Sequence, residues 1–491
     1  MTYDYDVIIL GSGPAGFSCA MQASKFDKKA VLVEGNEHHL GGTWINRGTV
    51  PSKALGETAR IIQRFQRQFN EDQTIKPHQK YKMADLLSYR KQILDSKNDK
   101  VRNDIEKNEV DIQPGRGRIV GEHEVEVTRE NGEKNTITGS HILIATGSSA
   151  IPPTHITVEG ATLLDYSSVL DLTHIPHRLV VIGSGVNALE FGTTFAALGT
   201  RVTMLCEKDD FLPFLDHEIK EQLDAVLQQF DIDLVISADQ VEILENTLRN
   251  RTMIKYRVRN SKEPERTHVV ETEHVLYLGP KAPNTGNLGL EHVGLDVDEE
   301  GYLDVGDDFQ TKVPHIYAAG DVIGFPSLAA SSFAQGRLAA CSMFGAKTTV
   351  QSPDIPFGIY SIPELSHIGL TEQEARNLGM DVTVGRAYYK NITQGDITNQ
   401  QNGLLKLVFE TKSLKIVGIH IIGERASDLI HFGQAVMQLG GDIRFFVDHV
   451  MNYPTFSEAY KIAAFNGINR VHKAGVKYKK ILKGSKKEGQ E

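Results

Sequence analysis

Two short runs in this chain have the residue types and spacing to hold the pyrophosphate of a dinucleotide. The first is Gly11-Ser12-Gly13-Pro14-Ala15-Gly16, preceded by the apolar Val7-Ile8-Ile9-Leu10 and followed by a helical stretch to about Phe26. Gly11 allows a tight turn, Gly13 lets backbone approach the pyrophosphate, and Gly16 lets the helix pack closely on the strand. Pro14 and Ala15 open that helix, whose N-terminus offers unpaired N–H groups and positive dipole to phosphate. The next strand, Ala30 to Val33, ends in Glu34, a carboxylate placed to accept ribose hydroxyls. The second run is Gly183-Ser184-Gly185-Val186-Asn187-Ala188, after Leu179 to Ile182 and before a helical stretch to Leu198. Ala188 takes the third glycine's packing position. Cys206 ends the following strand where the acid is expected, and Glu207-Lys208 come next. Glu207 favours a free ribose 2′-hydroxyl, as in NAD. Lys208 could face the 2′-phosphate of NADP, and both could simply solvate a loop, so the sequence leaves the nucleotide open.

These runs need parallel strands and covering helices, and the rest of the chain supplies them. Residues 54–112 read as helix-rich with polar joints near 70–80, and 122–138 read as a hairpin about Asn131-Gly132. His141 to Ala145 is an apolar strand running into Thr146-Gly147, and Ile151-Pro152-Pro153 marks the exit to the second unit. A return strand, His274 to Leu278, leads into Pro280 to Asn284. Ile316 to Gly320 is a strand with Asp321 at its C-terminal end, where open α/β sheets bind ligands. From about 351 the texture changes to alternating strands, as in Gly403 to Phe409, and then long helices. The reading is an α/β chain with two Rossmann-like dinucleotide-binding domains and an α+β C-terminal domain. Its boundaries fall at 1–152 with 280–350 for the first, 153–279 for the second, 351–470 for the third and 471–491 for a basic tail.

Composition narrows the classes. A chain of 491 residues is too long for one core. A hydrophobic content of 40% and a charged content of 24% are ordinary for a globular protein. With 53 Lys and Arg against 63 Asp and Glu, the net charge of −10 disfavours nucleic acid or an anionic membrane as a general partner. The three cysteines, Cys19, Cys206 and Cys341, are far apart and apolar in context, so neither a disulfide framework nor a metal site is expected. No run is long and apolar enough for a bilayer span, and a cytoplasmic location is expected.

Further signatures are Gly41-Gly42-Thr43-Trp44-Ile45-Asn46-Arg47-Gly48-Thr49-Val50-Pro51-Ser52-Lys53, the stretch Gly320 to Ala329, Ile359-Tyr360-Ser361-Ile362-Pro363-Glu364, and Asn452-Tyr453-Pro454-Thr455. On these residues the chain, over 4–470, resembles the pyridine nucleotide-disulfide oxidoreductases, the group of dihydrolipoamide dehydrogenase and glutathione reductase. Within that group it is most similar to members that exchange hydride between pyridine nucleotides. The resemblance implies FAD on the first unit, NAD(P)H as substrate on the second, and a C-terminal interface domain that makes a head-to-tail homodimer. It also implies that Asp321 binds the flavin ribitol and that a helix opening near Leu328-Ala329 points its N-terminus at the flavin N1/O2 edge. Lys53 matches the lysine beside flavin N5, the hydride-accepting atom, with Glu190 as its carboxylate partner. Gly42, Thr43, Thr49, Thr146 and Gly147 fall among the cofactor-binding positions.

Two departures bear on mechanism. The redox helix of this family carries cysteines at the positions of Trp44 and Thr49, and the hydride-exchanging members keep the first; this chain keeps neither. The family's His, before the proline of its His-Pro-Thr, is Tyr453, with Glu458 behind it. A phenol, ordinarily titrating near pH ~10, is a poor base at neutral pH. Reduction is therefore expected to stop at the flavin, with Trp44 either stacked on it or turned into the core. A second NAD(P)+ as acceptor gives transhydrogenation, a quinone or dye gives a diaphorase, and slow turnover gives a flavin-bound redox sensor. The lysine-rich tail reads as a solvated end or a docking segment.

Overall fold

The computed structural model describes residues 2–36, 40–69, 82–159, 163–246, 251–260, 262–263, 266–347 and 355–473. The polar joints at 70–80 and all but the start of the basic tail lie outside them. The helix Glu458–Lys473 runs into residues 471–473, so the tail expectation is corrected at its first three positions.

The first sheet grows from apolar strands buried on both faces. Its parallel part has the order Asp111–Pro114, Ala30–Glu34, Tyr5–Leu10, Lys134–Ile144, with Ile316–Ala318 also on Lys134–Ile144. Val7, Ile8 and Ile9 are fully buried, as a strand covered by helices on each side requires. The hairpin about Asn131-Gly132 forms as expected, pairing Glu124–Thr128 with Lys134–Ile144 and extending this sheet. The second sheet is also parallel, in the order Asp233–Ile236, Arg201–Cys206, Arg178–Ile182, His274–Tyr277, Leu163–Leu164. Two thin strands, Ser148–Ala150 and Lys281–Pro283, pair where the chain leaves the first unit and returns.

In chain order the helices that position the site are α1 (Pro14–Ser24), α2 (Thr43–Asn46), α3 (Thr49–Phe69), α4 (Met83–Lys107), α5 (Val186–Ala197), α6 (His217–Gln229) and α7 (Ala329–Met343). The expected single helix over 41–53 is corrected to two, α2 and α3. The Gly48 N–H turns back to the Thr43 carbonyl at 2.7 Å, which closes α2, and Ser52 then bonds the Gly48 carbonyl as α3 starts. Trp44 and Thr49 thus stand on different helices. Among the described residues no helix is long and apolar enough to cross a membrane.

The C-terminal sheet is antiparallel, in the order Phe357–Ile359, Leu365–Gly369, Ile416–Ile422, Leu404–Glu410, Val382–Tyr388. Leu404 to Phe409 is buried throughout and apolar but for one cation, Lys406, whose side chain is 2% exposed. Its Nζ donates to both oxygens of Asp216 at 3.0 and 2.9 Å and lies 2.7 Å from Glu218 and 2.8 Å from Glu372. Arg386 joins Glu218 from the next strand. Asp216 caps α6 by accepting from the Glu218 N–H, so this network bolts the second sheet's layer to the C-terminal one.

Beside it, His367 stacks on His420 at 6.0 Å and meets Phe357 and Phe214, with its Nε2 buried and without a partner. Burial first, and then His420, pushes its imidazole down to about 4. Below its ordinary value of about 6.5 the unfolded chain takes a proton that the folded one refuses, so stability falls as pH drops from about 6.5 toward 4, by up to ~3 kcal/mol. His367→Phe is expected to match the parent near pH 7.5 and to unfold at a higher temperature than it at pH 5. A melting temperature that falls equally steeply in both would count against this.

Candidate active site

The first glycine run folds as its residue types demand. Gly11 adopts φ +104°, and a Cβ there would stand 2.5 Å from the Ala145 carbonyl, so the turn tolerates no side chain. Ser12, fully buried, ties three segments together. Its N–H and hydroxyl donate to one oxygen of Glu34 at 3.0 and 2.6 Å, and its Oγ accepts from the Gly41 N–H at 3.1 Å. The Gly41-Gly42 turn is thereby laid over the run, and a Cβ on Gly42 would come 3.1 Å from Gly13 Cα. Nothing lies within 4 Å of where a Gly13 Cβ would be, which leaves room beside the N-terminus of α1, where Pro14, Ala15 and Gly16 begin the helix. The other Glu34 oxygen accepts from the Asn36 N–H at 3.2 Å. A carboxylate has about four acceptor sites, so capacity for a ribose remains. Sequence reasoning passed over Ser12, although it sits inside the motif.

A second cluster forms where α3, α5 and the C-terminal sheet meet. Lys53 Nζ lies 2.5 Å from Glu190 Oε2, and the Glu190 side chain is 9% exposed. The other Glu190 oxygen accepts the Tyr360 N–H at 2.8 Å, and Lys53 Nζ lies 5.2 Å from the centre of the Tyr360 ring. The expected Lys53–Glu190 pair is therefore made, and a backbone amide and an aromatic face from the third sheet secure it. Tyr360 belonged to a recognised motif, but nothing in sequence gave it this contact.

Trp44 is half-buried, edge-on to Phe333 of α7 at 5.1 Å and 79°, and it packs on the apolar cluster shared by α1 and α7. Its indole N–H is buried without a partner. Thr43 and Thr49, the first residues of α2 and α3, are exposed. Asp321 accepts from the Ser148 hydroxyl at 2.7 Å, and α7 opens at Leu328-Ala329, where the Leu328 N–H donates to Ser331 Oγ at 3.3 Å. Thr146 and Gly147 clasp Asn284: the Thr146 hydroxyl donates to its carbonyl at 2.8 Å, and its N–H donates to the Gly147 carbonyl at 2.8 Å.

The second glycine run opens α5, with Gly183 held close between Leu278, at the strand end, and Ala188, and with open space at Gly185. Glu207 follows the strand Arg201–Cys206, and its carboxylate lies 2.7 Å from His155 Nε2, while Lys208 is exposed. Arg259 donates to the Glu207 carbonyl at 2.6 Å. Neither His155 nor Arg259 was legible, since both arrive from distant loops. Tyr453 is 67% exposed, with its hydroxyl 2.7 Å from Thr393 Oγ1. Glu458 starts the last helix with one oxygen buried and without a partner. Among the described residues no hydrogen bond, ion pair or ring contact joins Tyr453 or Glu458 to Lys53, Glu190 or Trp44 within one chain. No group of His, Cys, Asp and Glu among the described residues could hold a metal ion.

The residues present suit a flavin dinucleotide: a backbone cradle open at Gly13, an acid at the strand end, Asp321 with Ser148, and the first turn of α7. Two dinucleotide cradles, opening α1 and α5, with a partly buried ion pair tying α3 to α5, define an α/β oxidoreductase that works between nucleotide cofactors. The chain belongs to the pyridine nucleotide-disulphide oxidoreductase family, whose profile matches residues 5–336 and whose dimerisation-domain profile matches residues 355–464. Proteins of this family bind FAD and use NAD(P)H, and the dimerisation domain makes the chain a homodimer. The chain is 38% identical over 469 residues to a soluble pyridine nucleotide transhydrogenase of Mycobacterium bovis, covering 95% of this chain and 98% of the relative. It is 35% identical over 477 residues to a protein of the same name from Pseudomonas putida, covering 96% and 99%. In fold it is similar to LpdA from Mycobacterium tuberculosis, with a TM-score of 0.84 at 22% identity over 94% of this chain and 98% of that one. It is likewise similar to the HOCl-induced flavoprotein disulfide reductase RclA from Escherichia coli, with a TM-score of 0.82 at 23% identity over 94% and 99%.

Proposed function

We propose that the protein is an FAD-dependent transhydrogenase that moves hydride from one pyridine nucleotide to another without dithiol chemistry. One observation carries the reading. The Lys53–Glu190 pair is intact, while the thiol positions beside it hold Trp44 and Thr49, and the three cysteines lie buried elsewhere in α1, at a strand end and in α7. FAD, when bound, supplies a site that accepts hydride from one nicotinamide and returns it to another.

The chain's own residues would divide the work as follows. The run Gly11 to Gly16, Glu34, Gly42 and Thr43 hold the adenosine diphosphate half, and Asp321, backed by Ser148, holds the ribitol. Lys53, fixed by Glu190, sets a positive charge where the hydride is exchanged. The N-terminus of α7 at Leu328-Ala329 would favour negative charge on the bound ring system. Trp44 and Phe333 form a wall that excludes water. Gly183, Gly185, Ala188, Glu207 and Lys208 receive the nicotinamide nucleotide. Tyr453 and Glu458 close the site across the dimer without acting as a dithiol's acid–base pair. We assign 1–152 with 280–350 to the FAD-binding domain, 153–279 to the NAD(P)-binding domain and 351–470 to the interface, in a cytoplasmic protein.

Steady-state transfer from NADPH to a thionicotinamide analogue of NAD+ tests this. Parallel double-reciprocal lines are expected, as for two substrates that use one site in turn, together with no turnover of lipoamide. Reduction by NADPH without transfer to the analogue would count against the proposal and favour a quinone or other acceptor.

A further inference from the structure

We propose that His155 lets the second nucleotide site accept both NAD(H) and NADP(H), by countering Glu207 when a 2′-phosphate is bound. The inference rests on the transhydrogenase reading, which asks a single ribose pocket to take a free 2′-hydroxyl in one half of the cycle and a phosphate in the other.

A bare Glu207 would serve only the first. A carboxylate at the end of the second strand accepts a ribose hydroxyl and repels a 2′-phosphate. Its Oε1 lies 2.7 Å from His155 Nε2, and the two side chains are 28% and 57% exposed, so a ligand can reach the pair. The surrounding charges are already committed or neutral. Arg259 spends its guanidinium on the Glu207 carbonyl at 2.6 Å, on Asp209 at 3.2 Å and on Asp239 at 3.7 Å. Asp209 is further tied to the Ser237 hydroxyl and to Asn260. Tyr277, ending a strand of the same sheet, keeps its proton, because burial and then Glu207 push its phenol up. That leaves two groups beside Glu207: Lys208, exposed and one residue on, as a fixed cation, and the His155 imidazole at 2.7 Å.

The chemistry then differs between the two ligands. With a 2′-hydroxyl bound, a neutral imidazole leaves the Glu207 carboxylate to accept from the ribose. With a 2′-phosphate bound, two anionic groups face the ring, which takes up a proton from solvent, bridges Glu207 and presents a cation beside Lys208. No bond to carbon changes in either case, and the only transfer is that proton.

Calorimetric titration of the FAD-loaded dimer with 2′,5′-ADP and with 5′-AMP, in buffers of different ionisation enthalpy, reads this without turnover. The parent is expected to bind both, taking up a proton with 2′,5′-ADP and none with 5′-AMP. His155→Gln, which keeps a hydrogen bond to Glu207 but no titratable charge, is expected to lose about tenfold or more in 2′,5′-ADP affinity. It should hold 5′-AMP within about twofold and abolish the proton uptake. His155→Lys should restore 2′,5′-ADP binding without proton uptake. Equal weakening of both ligands in His155→Gln, or unchanged proton uptake, overturns the inference. A parent that binds both nucleotides but fails to exchange hydride would instead remove the transhydrogenase reading and leave the role of His155 in binding intact.

Discussion

Lys53→Met is expected to slow reduction of the bound flavin by NADH about 10²–10³-fold while FAD content and 5′-AMP affinity stay near those of the parent. The size follows from where the charge is held. Glu190 lies 2.5 Å from Lys53 Nζ and is itself locked by the Tyr360 amide, so the ammonium is set in place before the nucleotide arrives. A charge already oriented in a partly desolvated site needs no reorganisation as hydride moves, and its loss falls on the transition state rather than on binding. Methionine keeps the length and the apolar stem that crosses the Tyr360 face. Rapid-reaction kinetics at several NADH concentrations separates the two effects. A large rise in the apparent dissociation constant with an unchanged limiting rate would show that Lys53 serves binding instead.

Lys406→Met is expected to cost about 3–5 kcal/mol of stability, the larger structural effect in the molecule. Lys406 is the hub of Asp216, Glu218 and Glu372; with it gone Arg386 still reaches Glu218 and Glu372, and Arg376 reaches Glu372, but the buried Asp216 keeps no ion-pair partner among the described residues. In the parent, burial works against the charged form of Glu218, but bonds from Arg386 and Lys406 override it and hold the carboxyl at about 2. Asp216 and Glu372 are lowered too, also against burial: the neighbouring His420 and Lys406 act on Asp216, while Lys406 and Arg376 act on Glu372. Folded-state values below the unfolded ones mean that this stabilisation is fully present above about pH 4.5 and is lost as pH falls toward 2. In the variant the sign reverses: the buried, unpaired Asp216 carboxylate binds a proton more readily folded than unfolded. Acid therefore narrows the gap between variant and parent. Melting temperatures of both from pH 7.5 to 5 check this, and a gap that widens with acid would contradict the account.

Sequence periodicity and glycine spacing made most of this fold legible, because strands such as Val7 to Leu10 are apolar throughout and each glycine run has one steric purpose. The Lys53–Glu190 pair was legible only through the resemblance, since its partners lie 137 positions apart. Several contacts could not be read at all. Ser12 acts through a turn that brings Gly41 to its hydroxyl and Gly42 over Gly13. Ser148 reaches Asp321, and His155 reaches Glu207, only after separate strands have paired. The break at Gly48 was missed for a local reason: the run from Thr43 to Lys53 has helix-compatible residues on both sides, and the Arg47 and Gly48 N–H groups returning to the Thr43 carbonyl close the first turn. Lys406 is the plainest failure of pattern, a buried cation flanked by the apolar residues Leu404, Leu405, Leu407, Val408 and Phe409, and its burial is explained by carboxylates from two other segments.

The central claim is that hydride leaves by the route it entered. Anaerobic stopped-flow tests this in two steps: reduction of the FAD-loaded enzyme with one equivalent of NADPH, then mixing with NAD+ while the flavin absorbance is followed. The account predicts that the flavin is reoxidised as fast as steady-state turnover or faster, with NADH formed in equal amount, in enzyme pre-treated with a thiol-alkylating reagent. A flavin that stays reduced when mixed with NAD+, or activity abolished by alkylation, would contradict it.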